Sequence, residues 1–224
     1  DRTGTSPVPG YWRCPQRAGI DMHILIRTDV GGEHGMGHAT RCLALAQQLQ
    51  KPGHAVAFTT SKPSSWLRDF PYYDTLTECL PHIDTCVIDT KADDWSNDDA
   101  FLQTVRQGGV KVVRIDHPHA SPDSCDLLVI PNAHQGRAVE SRLTETFQER
   151  LRIGWPFVML TPDVTTQSVV PLWERPAARI VFCAGGSDPT GALQRMMAFA
   201  THLDTKHAHL FAHGALQTPP CAHS

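Results

Sequence analysis

The chain has 224 residues, 41% of them hydrophobic and 19% charged, enough for one sizeable α/β core and part of a second. Twenty Lys and Arg stand against 23 Asp and Glu, a formal charge of -3, so there is no broad basic field to hold nucleic acid or an anionic membrane. No run approaches the roughly 18 apolar residues that would cross a bilayer.

The seven cysteines, Cys14, Cys42, Cys79, Cys86, Cys125, Cys183 and Cys221, form no Cys-x-x-Cys and several sit in apolar runs, as reduced thiols of a cytoplasmic protein do. Residues 1–21 are rich in Pro, Gly and Arg without an apolar centre; they read as a disordered leader, with Met22 as the start of the folded unit.

From Met22 short apolar runs alternate with amphipathic stretches, the pattern of a parallel sheet with crossover helices. His23 to Arg27 is the first strand. Ala39 to Gln50 is a helix, with Leu43, Ala46 and Leu49 at helical spacing and Pro52-Gly53 as its stop, and Ala55 to Thr60 is the second strand. A less regular section, with a helix near Trp66 and the run Phe70-Pro71-Tyr72-Tyr73, precedes a third strand at Thr85 to Thr90. A helix over Asn97 to Gln107 ends at Gly108-Gly109. Lys111 to Asp116 and Asp126 to Pro131 are strands four and five. Beyond Asp163 the composition shifts, and Val164 to Ala178 reads as a connection. Arg179 to Ala184, a Gly-Gly-Ser-Asp-Pro loop, a helix from Ala192 to about His202 and a strand at His209 to Gly214 then restart the strand, glycine loop, helix order. The expected division is residues 1–21 leader, 22–165 first domain, and 166–224 linker with an incomplete second domain.

Three constellations carry chemistry. Between strand one and helix one lies Gly31-Gly32-Glu33-His34-Gly35-Met36-Gly37-His38. Glycines let a ligand approach the backbone, and free N–H groups at a helix start favour an oxyanion. The spacing departs from G-x-G-x-x-G and no acid ends strand two, which disfavours a nicotinamide cofactor. His38 at the helix N-terminus is placed for the neutral imidazole of a general base, the alternative being a simple cap. Arg41, one turn on, has either a substrate anion or a strand-end carboxylate such as Asp29 as its partner. The second constellation is Gly185-Gly186-Ser187 before Asp188-Pro189, either a phosphate wrap or an ordinary helix start. The third is the strand-end set Asp89, Asp93, Asp94 and Asp116, with Asn132 after strand five; convergence or solvation is open from sequence. Thirteen histidines raise a metal reading, with His117 and His119 as a pair, but no HExxH or Cys/His set accompanies them.

The stretch Met22 to Thr60, with its Gly-Met-Gly-His and Arg-Cys-Leu-Ala-Leu-Ala segments, resembles the N-terminus of the UDP-sugar hydrolases of pseudaminic acid biosynthesis and of related spore-coat polysaccharide proteins. TCVIDT, KVVRIDH, CDLLVIPNAH, IGWPFVMLTPDV and VFCAGGSDPTG are similar, in order, to later elements of that family, so the resemblance runs from Met22 to His202. It implies a glycosyltransferase B type Rossmann-like domain followed by a truncated second Rossmann-like domain, with a UDP-sugar as substrate. Water would displace UDP from an amino sugar, with His38 as base, no cofactor and no metal. Gly35, Met36, Gly37, Arg41, Asp89, Asn132, Gly185, Gly186 and Ser187 are the residues expected to contact substrate. Departures at Asp89-Thr90-Lys91, His117 and Thr161-Pro162-Asp163 imply altered sugar contacts. The nucleotide-binding elements expected well after residue 203 are not in the sequence. A partner or second chain would supply that half, or the chain is a non-catalytic remnant; a glycosyltransferase of the same fold, with an acceptor hydroxyl in place of water, is the other enzyme reading.

Overall fold

The computed structural model describes residues 22–29, 37–60, 67, 69–73, 76–90, 95–141, 144–161, 180–182, 191–200 and 208–210. Its first body is a six-stranded parallel sheet in the order β2-β1-β3-β4-β5-β6, with β1 His23–Thr28, β2 Ala55–Thr59, β3 Thr85–Asp89, β4 Lys111–Ile115, β5 Leu127–Ile130 and β6 Leu151–Ile153. A single parallel bridge from Phe58 to Tyr72 extends the sheet beyond β2. The helices are α1 Gly37–Gln50, α2 Leu76–Cys79, α3 Trp95–Gln107, α4 Ala133–Glu140 and α5 Glu145–Gln148. This is an α/β fold with a parallel sheet, as the alternating apolar runs predict, and it is Rossmann-like, as the resemblance implies.

All six residues of β1 and all five of β3 are buried, because a central parallel strand is covered on both faces. Two apolar clusters divide the core between the sheet's faces. Cys42 and Ala46 of α1 pack with Ile24, Ile26, Val56, Phe58, Val87 and Ile115, while Leu102 and Val105 of α3 and Val139 of α4 pack with Leu25, Ile88, Val112 and Leu128. Small residues at Ala39, Cys42 and Ala46 bring α1 close to the sheet. Chain direction accounts for the opposite faces: β1 to β2 steps one way along the sheet and β3 to β6 the other, and right-handed crossovers then put α1 against one face and α3 and α4 against the other. Two carboxylates pin strand starts: Asp84 accepts from the His23 amide at 2.8 Å and Asp126 from the Val112 amide at 2.9 Å.

The periodicity leaves α4 and β6 out, and both matter. Asn132 caps α4, its Oδ1 accepting from the amides of His134 (3.0 Å) and Gln135 (3.2 Å). Gly136 lets α4 lie directly on β6, since a Cβ there would stand 2.1 Å from Ile153 Cγ2. Gly154, at φ 94°, then turns the chain out of β6 into a 3-10 turn, Trp155–Phe157. Farther along, β7 Ile180–Phe182 and β8 Ala208–Leu210 pair in parallel, with α6 Ala192–Ala200 between them in sequence, the strand-helix-strand order expected there. The leader and the proposed boundary near residue 165 lie outside the described residues, as does the expected helix near Trp66 apart from Leu67.

Gly136→Ala should destabilise the domain by roughly 1–3 kcal/mol despite alanine's better helix propensity, because the new methyl overlaps Ile153. Urea unfolding measures it, and in a double-mutant cycle Gly136→Ala should cost less in an Ile153→Ala background, which lacks the overlapping Cγ2.

Candidate active site

The order of the sheet creates a switch point between β1 and β3, where successive connections leave toward opposite faces; such a crevice at the carboxyl ends is where open α/β sheets bind ligands. Four chemically distinctive side chains meet there. His38, Arg41 and Cys42 lie at i, i+3 and i+4 on the first turns of α1 and so share one helix face. That face meets Asp89, the last residue of β3, which is completely buried.

Asp89 Oδ1 accepts from His38 Nδ1 at 2.6 Å, and the Arg41 guanidinium binds both carboxylate oxygens through Nη2 and Nε. The Cys42 thiol donates to Oδ2 at 3.4 Å. A carboxylate offers about four lone-pair sites, so these contacts saturate it. Burial by itself would raise the Asp89 pKa; hydrogen bonds from Arg41 and His38 and the charge of Arg41 outweigh it and hold the group below the ordinary carboxylate range. Burial likewise works against the Arg41 charge, but Asp89 and Asp116 together drive its pKa upward. The Cys42 thiol, buried and beside Asp89, is pushed well up, which makes it an inert donor.

Because an ionised carboxylate only accepts, the 2.6 Å contact fixes the proton of His38 on Nδ1. Nε2, the nitrogen remote from Asp89, then carries the lone pair. An imidazole oriented in this way by a buried carboxylate has the geometry to take a proton and be stabilised as imidazolium. The His38 side chain is 21% exposed, reachable without being solvated all round.

Arg41 also reaches Asp116, Nη1 to Oδ2 at 2.9 Å. Asp116 follows β4 with φ 60°, a left-handed conformation that aspartate tolerates better than most residues but that still costs energy. Its amide is held by the Val129 carbonyl at 2.8 Å. Arg41 therefore ties the ends of β3 and β4 to α1. Arg41 does pair with strand-end carboxylates, but these are Asp89 and Asp116 and not Asp29, which Arg27 Nη1 takes at 2.8 Å because both stand at the end of β1 itself. Asn132 borders the cleft that also holds Arg41 and Asp116, with its oxygen engaged in the α4 cap. Gly37 opens α1 and is exposed. Gly35, Met36, Gly185, Gly186, Ser187, Asp93 and Asp94 lie outside the described residues.

His117 and His119 do not face one way: His117 is buried and takes an Arg114 Nη2 hydrogen bond on Nδ1 at 3.2 Å, whereas His119 is exposed. No group of three or more His, Cys, Asp or Glu side chains suited to a metal occurs among the described residues. None of the described helices is long and apolar enough to cross a membrane. The cleft is also lined by His134, Arg137 and Trp155, which the sequence does not single out; the one signal it carries for them is the aromatic set between Gly154 and Pro156.

No protein-family model matches the chain, and no curated protein sequence matches it. Among solved structures it is similar to the UDP-N-acetylglucosamine 3-dehydrogenase GnnA from Acidithiobacillus ferrooxidans, with 16% identity and a TM-score of 0.31 over 60% of this chain and 38% of that one. A second GnnA structure gives a TM-score of 0.29 at the same 16% identity, covering 59% of this chain and 38% of its own. MurG from Acinetobacter baumannii is similar at 12% identity and a TM-score of 0.44, over 88% of this chain and 67% of that one. The chain thus spans 38% of the GnnA length. Likeness at these levels carries no argument about chemistry, which rests on the site itself.

Burial, with the charge of Arg114 second, pushes His117 from 6.5 down to about 3. The unfolded chain binds that proton near pH 6.5 and the folded one does not, so stability falls as the pH drops from about 6.5 toward 3. The decline in urea midpoint from about pH 7 to about pH 5 should be smaller in His117→Gln than in the wild type. Asp89, depressed below the usual range, loses its contribution only at lower pH and leaves that interval undisturbed.

Proposed function

We propose that this chain is the sugar-side half of a nucleotide-sugar enzyme that hydrolyses a UDP-activated amino sugar, releasing UDP and the free sugar. The observation that carries the reading is the 2.6 Å His38–Asp89 contact at the switch point of the sheet, which presents an oriented imidazole where a ligand is expected. The resemblance of the Gly-Met-Gly-His segment to the UDP-sugar hydrolases supports the substrate class.

In this mechanism His38 Nε2 takes a proton from water. The water oxygen bonds the anomeric carbon as the bond to the UDP oxygen breaks, and the electron pair leaves with UDP. Asp89 holds the ring by Nδ1 and stabilises the imidazolium that forms, while Arg41 keeps Asp89 ionised and in place. Gly35, Met36 and Gly37 would approach the substrate by backbone, and Gly185, Gly186 and Ser187 would meet its phosphates. Nothing in this chemistry calls on a metal or an organic cofactor. The nucleotide half would come from elements beyond those described here, on the same chain or a partner.

Incubation with a UDP-activated N-acetylated amino sugar and no acceptor should release UDP. His38→Ala should lower the rate by about a thousandfold, and Asp89→Asn at least about tenfold through loss of the orienting charge, both with an unchanged circular dichroism spectrum. Release of UDP only when an acceptor alcohol is added would replace the hydrolase by a glycosyltransferase. Full activity in His38→Ala would remove the base assignment.

A further inference from the structure

Next to the His38–Asp89 pair lies an open cleft of about 510 Å3 that the hydrolytic step as described does not use. Its polar and aromatic lining is Arg41, Asp116, Asn132, His134, Arg137 and Trp155. The volume is in the range of small-molecule sites.

Trp155 is the unusual member. It is 82% exposed, although an indole is ordinarily withdrawn from water for its large apolar area. Its position is set by the backbone: Gly154 at φ 94° reverses the chain, its amide bonded to the Ile130 carbonyl at 2.9 Å, and Pro156 stiffens the following turn. The ring is thus presented by a fixed turn at the edge of a cleft.

The polar groups around it are mixed in sign and in role. Arg137 is exposed, on α4, and its guanidinium has no hydrogen-bond or ion-pair partner among the described residues. Asn132 spends its oxygen on the helix cap, leaving its amide N–H groups as donors. Asp116 gives Oδ2 to Arg41, leaving Oδ1 as an acceptor. Asp116 and Asp89 are both paired to Arg41, and with Arg137 the charges of the cleft roughly balance, which suits an uncharged polar ring better than a diphosphate. Donors, an acceptor and one flat apolar surface together suit a polyhydroxylated ring, which has hydroxyls that both give and take hydrogen bonds and an axial C–H face that packs on an indole.

Resting on the nucleotide-sugar reading, we propose that this cleft is the carbohydrate subsite: the sugar ring stacks on Trp155 and its polar substituents bond Asp116, Asn132 and Arg137. Arg41 belongs to both the cleft and the Asp89 cluster, so a ring seated here has its reacting end beside His38. The nucleobase, two phosphates farther from the bond that breaks, belongs elsewhere.

The test uses N-acetylglucosamine and UDP as separate probes, followed by saturation-transfer NMR. On the wild type, N-acetylglucosamine should receive transfer mainly at its ring C–H protons. Trp155→Ala should weaken it at least about tenfold, Trp155→Phe only about threefold, and UDP binding should stay unchanged in both. Trp155 makes little of the core, so a native circular dichroism spectrum is expected for each variant. Unchanged sugar binding in Trp155→Ala, no sugar binding by the wild type, or a loss that falls on UDP would each overturn the subsite, the last pointing to a nucleobase stack. Sugar bound at Trp155 by a protein that releases no UDP would sink the hydrolase reading and leave the subsite standing.

Discussion

A single buried carboxylate organises this end of the molecule. Asp89 is withdrawn completely from water at the tip of β3, and an isolated charge in that position would cost several kcal/mol. It is tolerable because the first turns of α1 bring His38, Arg41 and Cys42 onto its oxygens together. The cost of the charge and the placement of the helix are therefore one problem with one solution. The placement of α1 on the sheet, the tautomer of His38 and the link to β4 through Asp116 all follow from it.

The sheet supplies the rest. Reversal of strand order at β1 puts α1 on one face and α3 and α4 on the other, leaving the carboxyl ends of β1, β3 and β4 open between them. Into that opening the fold delivers the His38 imidazole held by Asp89, a cation shared by two carboxylates, and farther out the α4 start and the Trp155 turn. Gly136 and Gly154 work at a distance from the chemistry: one allows α4 to sit against β6 and the other aims the turn beyond it. Backbone choices of this kind set the shape of a site whose polar groups lie on other elements.

Much of the fold is legible in the residues. The five strands read from apolar runs form within one or two residues of their expected ends, because a buried parallel strand needs a continuous apolar segment and polar stops on either side. The misses are physical in origin. α4 contains Gly136 and few apolar residues, so its period is faint, and β6 is three residues long; both exist because they pack on each other and on β5. A strand-end carboxylate is a natural partner for Arg41, but the fold gives Asp29 to Arg27 on its own strand end and turns Arg41 to Asp89 and Asp116.

The sequence by itself determined the alternation of strand and helix and the shared face of His38, Arg41 and Cys42 on α1, since these depend on spacing along one element. Tertiary structure alone decided which carboxylate that face would meet. Asp89 is 51 residues from His38 and Asp116 is 75 from Arg41, and strand-end acids look alike in a sequence until the strand order places two of them beside one helix. The same holds for Trp155, whose exposure at the rim of the cleft follows from the packing of β6 and α4, two elements stabilised almost wholly by contacts distant in the chain.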